Sequence, residues 1–176
     1  MMLQEKINNT IRDVPDFPKE GILFKDITPL FQDQPLCTEI TENFVQQFQG
    51  TPIDAVVGIE SRGFLFGFSL ANKLGVPFVL VRKEGKLPYR KTAYKYDLEY
   101  GSAVVELQEG DVKPGWNVLI HDDLLATGGT AIAAAELVKK QGASVAGFAF
   151  VVELDFLKGK EKINTYASKV YSVVNY

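Results

Sequence analysis

The sequence predicts an α/β fold in which a mostly parallel, twisted sheet is flanked by helices. Four continuous apolar runs are typical of buried parallel strands: IDAVVGI, PFVLV, NVLIH and VAGFAFVVEL. Helix-like segments, RGFLFGFSLANKLG and GGTAIAAAELVKKQG, lie between the first two runs and between the last two. Strands that alternate with helices along a chain form parallel sheets. Because 176 residues with 46% hydrophobic content can bury one sizeable core, we expect a single domain over residues 1–176.

Two helices are expected before the first strand. Leu3, Ile7 and Ile11 recur at four-residue spacing and predict a short N-terminal helix. A second run with the same spacing predicts a helix over residues 35–49. The segment between them, VPDFPKEGILFKDITPLF, is rich in Pro and charged residues and is expected to be a loop.

A different element separates the second apolar run from the third. The segment KYDLEYGSAVVEL alternates apolar and polar residues around Gly101 and Ser102, which predicts an antiparallel hairpin appended to the sheet. The charged stretch VRKEGKLPYRKTAYK before it is either a solvated loop or a lid that closes over a ligand. We assign residues 83–103 to this flexible lid and hairpin. The last segment, INTYASKVYSVVNY, is expected to supply a closing strand.

The composition argues against several classes of partner. With 19 Lys and Arg against 22 Asp and Glu, the formal charge of -3 offers no general attraction for nucleic acid or anionic membranes. The single Cys37 and the single His121 exclude an internal disulfide and a zinc site built from several such ligands. No apolar run approaches the roughly 20 residues that span a bilayer, and the start lacks a signal-peptide core. We expect a soluble, cytoplasmic protein.

The clearest functional signal is the stretch VLIHDDLLATGGT. Ligands of open α/β sheets bind beyond the carboxyl ends of the strands, which here are the loops after Ile59, Val81 and His121. In the third loop, the glycines allow a tight turn that directs backbone N–H groups, at the start of a helix, toward a phosphate. Asp122 and Asp123 leave the strand together and are suitable acceptors for a ribose diol. Neither a Walker A loop nor a dinucleotide fingerprint occurs, so the pattern indicates a phosphorylated ribose.

This stretch resembles the phosphoribosyl pyrophosphate motif of the type I phosphoribosyltransferases. Its core, DDLLATGGT, is similar to the adenine phosphoribosyltransferases in particular. The segments DFPKEGILFKDITPL, GIESRGFLFG, VRKEGKLP and LEYG resemble the same family in the same order, so that the resemblance spans residues 11–157. It implies the type I phosphoribosyltransferase fold, with a small base-binding hood formed by residues 1–34.

The resemblance implies a purine salvage enzyme. Its reaction transfers the 5-phosphoribosyl group from phosphoribosyl pyrophosphate to N9 of adenine and gives AMP and pyrophosphate. Mg²⁺ is expected on the pyrophosphate rather than in a protein cage, and the protein is expected to form a homodimer with the lid near the interface. Two alternatives remain open: a phosphoribosyltransferase for a 6-oxopurine, and a non-catalytic regulator that senses phosphoribosyl pyrophosphate.

The resemblance also assigns roles at the base. Phe24 is expected to stack on adenine, while the main chain of Leu23 and Lys25 reads its hydrogen-bonding edge. The family usually has arginine where this chain has Lys25, so a side-chain role there is in question. Glu99 is expected to be the catalytic residue, a proton relay to N7 of the purine, although an ordinary exposed strand carboxylate is the simpler interpretation.

The phosphoribosyl pyrophosphate site is expected to combine the loops with the lid and hairpin. Simpler interpretations are an ion pair between Arg62 and Glu60 and a solvated lysine-rich loop. The candidate residues are Arg62, Arg82, Lys83, Lys86, Tyr100, Asp122, Asp123, Ala126, Thr127, Gly128, Gly129 and Thr130.

His121 and Ser61 are two further residues that could be taken for catalytic groups. The family usually has an apolar residue where this chain has His121. Because side chains alternate along a strand, the His121 side chain should point away from that of Asp122. We therefore expect a partly buried histidine with a local hydrogen bond rather than a general base. A catalytic triad through Ser61 is not expected, because no nucleophile elbow is present.

The helix that carries Phe64, Leu65, Phe66 and Phe68 is apolar on nearly every side, which favours burial between its own sheet and a partner subunit, or a fully interior helix.

Overall fold

The computed structural model describes residues 1–98 and 101–176, which form an α/β fold. The helices are α1 (Leu3–Thr10), α2 (Gln34–Gln47), α3 (Gly63–Leu74), α4 (Gly129–Lys140) and α5 (Gly159–Ile163). The strands are β1 (Arg12–Pro15), β2 (Leu23–Asp26), β3 (Ala55–Ile59), β4 (Phe78–Lys83), β5 (Lys91–Asp97), β6 (Ser102–Gln108), β7 (Asn117–Leu125), β8 (Ser144–Glu153) and β9 (Val170–Asn175). Short 3₁₀ helices cover Thr28–Gln32 and Asp155–Leu157.

Among the described residues, the main sheet has seven strands in the order β5-β6-β4-β3-β7-β8-β9. The strands β4, β3, β7, β8 and β9 are parallel to one another. The hairpin β5–β6 joins the edge of β4 in antiparallel orientation. The predicted mostly parallel sheet, its antiparallel hairpin and its closing strand are therefore confirmed.

The central strands are buried on both faces because helices cover each side of the sheet. Along β3, Ala55, Val57 and Ile59 pack in the core beneath α4, whereas Val56 packs in the core formed with α1, α2 and α3. Successive side chains of a strand point to opposite faces. Both faces must therefore be apolar, which is why the strands are continuous apolar runs.

The segment after α1 differs from the expected loop. Strands β1 and β2 pair as a small antiparallel sheet, with Val14 opposite Phe24. Their connection contains a cis bond between Phe17 and Pro18 and a glycine, Gly21, at φ +83°. The prediction missed these strands because most of their side chains remain partly or fully exposed, so that no apolar alternation marks them.

Helix α2 begins close to its predicted start and ends two residues earlier. The carboxylate of Asp33 accepts a hydrogen bond from the backbone N–H of Leu36 at 3.0 Å, which caps the first turn. The helix ends at Gln47, before Gly50, which adopts φ +77°.

Helix α3 is covered on one side only. Phe66 is 2% exposed, but Leu65 is 52% and Phe68 is 58% exposed. The interpretation of a fully interior helix is therefore wrong for the isolated chain. No helix within residues 1–98 and 101–176 is long and apolar enough to cross a membrane.

Candidate active site

A cavity of about 320 Å³ opens at the carboxyl ends of β3, β4 and β7. Residues from all three strand ends and from β5 line it: Glu60, Ser61, Arg62, Lys83, Tyr96, Asp122, Asp123, Ala126 and Thr130. Two larger surface cavities, of about 470 and 400 Å³, are lined without paired aspartates or a glycine-rich loop. The cavity at the strand ends is therefore the one that combines groups for a phosphorylated ribose.

The glycine-rich loop between β7 and α4 has the geometry of a phosphate site. Gly128 caps α4 at φ +84°, and a Cβ there would lie 3.0 Å from the carbonyl oxygen of Gly159. A Cβ on Gly159 would in turn overlap the carbonyl oxygen of Ala126. Two glycines thus allow the loop to pack closely on α5, and the unpaired first N–H groups of α4 face outward. The predicted residues 126–130 do meet around a cavity of their own.

The two aspartates belong to the strand rather than to the loop after it. Strand β7 continues to Leu125 because β8 keeps pairing with it that far. On its other side, β3 ends at Ile59, beside Asp122, so both carboxylates reach the cavity. The expectation that the aspartates leave the strand is corrected by this longer pairing with β8.

Asp122 and Asp123 have different electrostatic environments. Asp123 is 5% exposed, and its Oδ2 accepts a hydrogen bond from Nε of Arg62 at 2.5 Å. Burial and the neighbouring charge of Asp123 raise the pKa of Asp122 well above its ordinary value. Asp122 still borders the cavity, and its Oδ1 would lie 2.8 Å from a Cβ on Gly63, so the glycine that begins α3 provides room for this carboxylate.

Arg62 and Glu60 take different partners from the pair considered in the sequence. Glu60 accepts two hydrogen bonds from the guanidinium of Arg82, at 3.0 and 3.2 Å, and one from the backbone N–H of Lys83 at 2.8 Å. The Arg82 guanidinium lowers the pKa of Glu60. The ion pair between Arg62 and Glu60 is therefore wrong, since Arg62 contacts Asp123. The Glu60–Ser61 peptide bond is cis.

The three predicted cations at and after the end of β4 differ in whether they border the cavity. Lys83 lines it, whereas Arg82 binds Glu60 and donates to the carbonyl oxygen of Lys86 at 3.3 Å. Lys86 itself is exposed and is not among the lining residues.

The hood brings an aromatic ring to the same side of the molecule. The Phe24 ring centroid lies 5.8 Å from the guanidinium carbon of Arg62 and 5.1 Å from the ring of Phe17. Phe17 was missed, although its position before a proline marks the hood turn. Lys25 projects differently: its Nζ lies 2.7 Å from Oδ1 of Asp13. Arg62 thus connects the ring of the hood with the carboxylates of the ribose site.

His121 differs from its expected environment. It is 0% exposed, packs edge-on against Phe44 at 5.4 Å, and has no hydrogen-bond partner for either ring nitrogen within the described residues. Burial lowers its pKa to about 4. The expectation of a partly buried ring is therefore wrong, because Gly67 on α3 leaves space for the ring between the helix and the sheet.

The hairpin contributes a residue that the sequence did not single out. The Tyr96 hydroxyl lies 3.2 Å from the hydroxyl of Thr130, and its ring would lie 3.4 Å from a Cβ on Gly129. The alternating burial along β5 is the signal that could have identified it. Glu99 and Tyr100 lie outside the described residues.

The fold and the site are those of a phosphoribosyltransferase. The family model described as "Phosphoribosyl transferase domain" matches residues 28–175. An adenine phosphoribosyltransferase from Sorangium cellulosum is 56% identical over 170 residues, which are 94% of this chain and 84% of the relative. The chain therefore belongs to the adenine phosphoribosyltransferase family.

Solved structures agree with this assignment. The adenine phosphoribosyltransferase of Thermoanaerobacter pseudethanolicus superimposes with a TM-score of 0.95 at 44% identity, covering 99% of this chain and 100% of its own. The Saccharomyces cerevisiae enzyme, complexed with adenine and an imino-altritol bisphosphate, gives a TM-score of 0.91 at 44% identity and covers 98% of each chain. The type I phosphoribosyltransferase fold expected from the sequence is confirmed.

Proposed function

We propose that this enzyme transfers the 5-phosphoribosyl group from phosphoribosyl pyrophosphate to N9 of adenine, giving AMP and pyrophosphate for purine salvage. The observation that carries the proposal is the position of Arg62, which contacts Asp123 on one side and lies 5.8 Å from the Phe24 ring on the other. The residues proposed to bind the ribose and those proposed to bind the base are therefore adjacent. The names of the relatives support adenine as the base.

The phosphate loop, residues 126–130, holds the 5'-phosphate through the N–H groups at the start of α4. Asp122 and Asp123 accept hydrogen bonds from the ribose diol. Because Arg62 occupies Asp123 in the free protein, the arriving diol takes over that carboxylate and the guanidinium turns to the pyrophosphate. Lys83 adds a second positive charge at the same wall.

The reaction needs positioning and charge neutralisation rather than a covalent intermediate. As pyrophosphate departs, the ribose acquires oxocarbenium character, and adenine attacks from the opposite face with inversion at the anomeric carbon. Fixing the phosphate and the diol reduces the entropy cost of reaching that geometry, while Arg62 and Lys83 neutralise the departing charge. Glu99 accepts the proton that adenine loses, a role that rests on the family resemblance.

Magnesium enters with the substrate, bound to the pyrophosphate. Within the described residues, no group of three or more His, Cys, Asp or Glu side chains could hold a metal ion. Asp123 is paired with Arg62 and the pKa of Asp122 is raised, so both suit a diol better than a bare cation. A hydrated Mg²⁺ that keeps much of its water shell is compatible with these donors.

We also infer that the enzyme is a cytoplasmic homodimer in which α3 is part of the interface. Leu65 and Phe68 expose about half of their surface, and Phe68 packs at 5.8 Å on Phe78 to extend the apolar face. Burying such a face in a second copy removes it from water. The free thiol of Cys37 suits a reducing compartment.

The test is AMP formation from phosphoribosyl pyrophosphate, Mg²⁺ and each of adenine, hypoxanthine and guanine. We expect product with adenine alone, and a loss of at least ~100-fold in kcat/KM for Asp123→Asn, because one charged acceptor of the diol is removed. Asp111→Asn, an exposed aspartate outside the cavity, is the matched control. Product with a 6-oxopurine instead would reassign the base, and tight substrate binding without any product would indicate the sensor.

A further inference from the structure

Tyr176, directly after β9, joins three parts of the protein. Its backbone N–H donates to the carbonyl oxygen of Glu153 at 2.9 Å, which continues the main sheet. Its hydroxyl donates to Oδ1 of Asn8 on α1 at 2.7 Å. The ammonium of Lys25, on β2, lies 4.1 Å from the centre of its ring. This one residue therefore connects the sheet through its backbone with the first helix and the hood hairpin through its side chain.

The Lys25 side chain is largely buried and has two close partners. Its side chain is only 16% exposed, whereas lysines are rarely buried without a partner. Its Nζ donates to Oδ1 of Asp13 on β1 at 2.7 Å while it rests on the Tyr176 ring. Asp13 is itself 54% exposed, whereas Tyr176 is half-buried, so the contact with the ring is less open to water than the ion pair.

The hood hairpin needs such an attachment. Within residues 1–98 and 101–176, strands β1 and β2 form a separate two-stranded sheet that shares no strand pairing with the main sheet. Isolated two-stranded hairpins are marginally stable in water. Phe24 and Lys25 are neighbours on β2 and point to opposite faces, so the ammonium contacts Tyr176 while the Phe24 ring faces Arg62.

We propose that Tyr176 and Lys25 form a clamp that fixes the hood hairpin against the main sheet, and that both are positioning residues that set the distance between Phe24 and the ribose site. Neither side chain is assigned a contact with the base. The proposal rests on the function proposed above and deepens it, since it assigns the Lys25 side chain to the clamp. Arginine at this position would retain a cation over the ring and a donor for Asp13, so the clamp tolerates either residue.

The clamp predicts a selective effect on adenine. Tyr176→Leu and Lys25→Met should each raise the KM for adenine about fivefold, which corresponds to about 1 kcal/mol and to a partly shielded cation–π contact. The KM for phosphoribosyl pyrophosphate should stay within about twofold, because neither Tyr176 nor Lys25 is among the described residues that line the cavity at the strand ends. The double variant should resemble the single variants, since both remove the same contact. Lys25→Arg should raise the KM for adenine less than Lys25→Met does, because arginine keeps a cation over the ring.

Three measurements keep the test decisive. Lys113→Met removes a cation lying 5.4 Å from the Trp116 ring, a similar contact outside the hood, and should change neither KM. Tyr176→Phe keeps the ring over Lys25 with minimal disturbance and should leave the KM for adenine within about twofold. Hydrogen exchange should speed up in residues 12–26 of Lys25→Met while the main sheet keeps its protection.

Equal rises in both KM values, additive single variants, or unchanged exchange in the hairpin would overturn the clamp. Phe24→Ala separates this failure from a failure of the base site. If Phe24→Ala raises the KM for adenine while the Tyr176 and Lys25 variants do not, the clamp alone is wrong. If Phe24→Ala leaves the KM for adenine unchanged, the assignment of the base to the hood is wrong, and the clamp proposal fails with it.

Discussion

Acid should destabilise this protein through His121, the buried histidine beneath α3. Its ring is 0% exposed, and burial lowers its pKa from 6.5 to about 4. Between these values the unfolded chain binds a proton that the folded protein does not, so stability falls as the pH falls through this window. Relative to neutral pH, this one group should cost on the order of 1 kcal/mol at pH 5.5 and roughly twice that at pH 4.5.

The assay is urea unfolding of the wild type and of His121→Leu at pH 7.5, 5.5 and 4.5. At pH 7.5 the variant should be at least as stable, because leucine fills a similar volume and two unsatisfied ring nitrogens are removed. At lower pH the variant should gain on the wild type by the amounts above. The raised pKa of Asp122 acts in the opposite direction, but it is present in both proteins and cancels in the difference.

Phe44→Leu provides the control, because it loosens the packing around His121 without removing the titrating group. It should lower stability at every pH by a similar amount. If the free-energy difference between wild type and His121→Leu is constant from pH 7.5 to 4.5, His121 is not held neutral by burial, and the reasoning is refuted.

Three other predictions follow from contacts around the site and from the exposed helix face. Gly159→Ala should raise the KM for phosphoribosyl pyrophosphate about tenfold or more in steady-state assays, because the new methyl group overlaps the Ala126 carbonyl; an unchanged KM would show that the loop can move freely. Glu60→Gln should lower the free energy of unfolding by about 1 kcal/mol above pH 5, a difference that shrinks in acid as the carboxylate of the wild type is protonated; a pH-independent difference in urea unfolding would contradict the ion pair. Phe68→Asp should convert a dimer to a monomer in sedimentation equilibrium, whereas Phe156→Asp, at an apolar residue that is 72% exposed elsewhere, should not; two dimeric variants would argue against α3 as the interface.

The larger elements of the fold could be predicted because their signals are local. Runs such as AVVGI in β3 are apolar throughout, and α4 follows a glycine pair that is typical of a strand-to-helix turn. The hairpin β5–β6 was marked by alternation around a glycine. The hood hairpin was not predictable in the same way, because its strands are four residues each and none of their side chains is fully buried.

The sequence predicted which loops form the candidate site. The aspartate pair and residues 126–130 meet at one end of the sheet, as parallel topology requires. The partners of the charged groups were not predictable, because each partner comes from a distant part of the chain. Arg62 and Asp123 are 61 residues apart, and Glu60 and Arg82 are 22 apart.

The sequence by itself determined the order of strands and helices, the phosphate loop and the family, since spacing, glycine positions and contiguous motifs carry that information. Only the tertiary structure decided how deeply each of these side chains is buried and which partner it contacts. His121 is fully buried because Gly67 on α3 leaves room for its ring beside the sheet. The Lys25 ammonium lies over the ring of Tyr176, 151 residues later in the chain, because a largely buried cation is stabilised by an aromatic ring, which the end of the closing strand brings there.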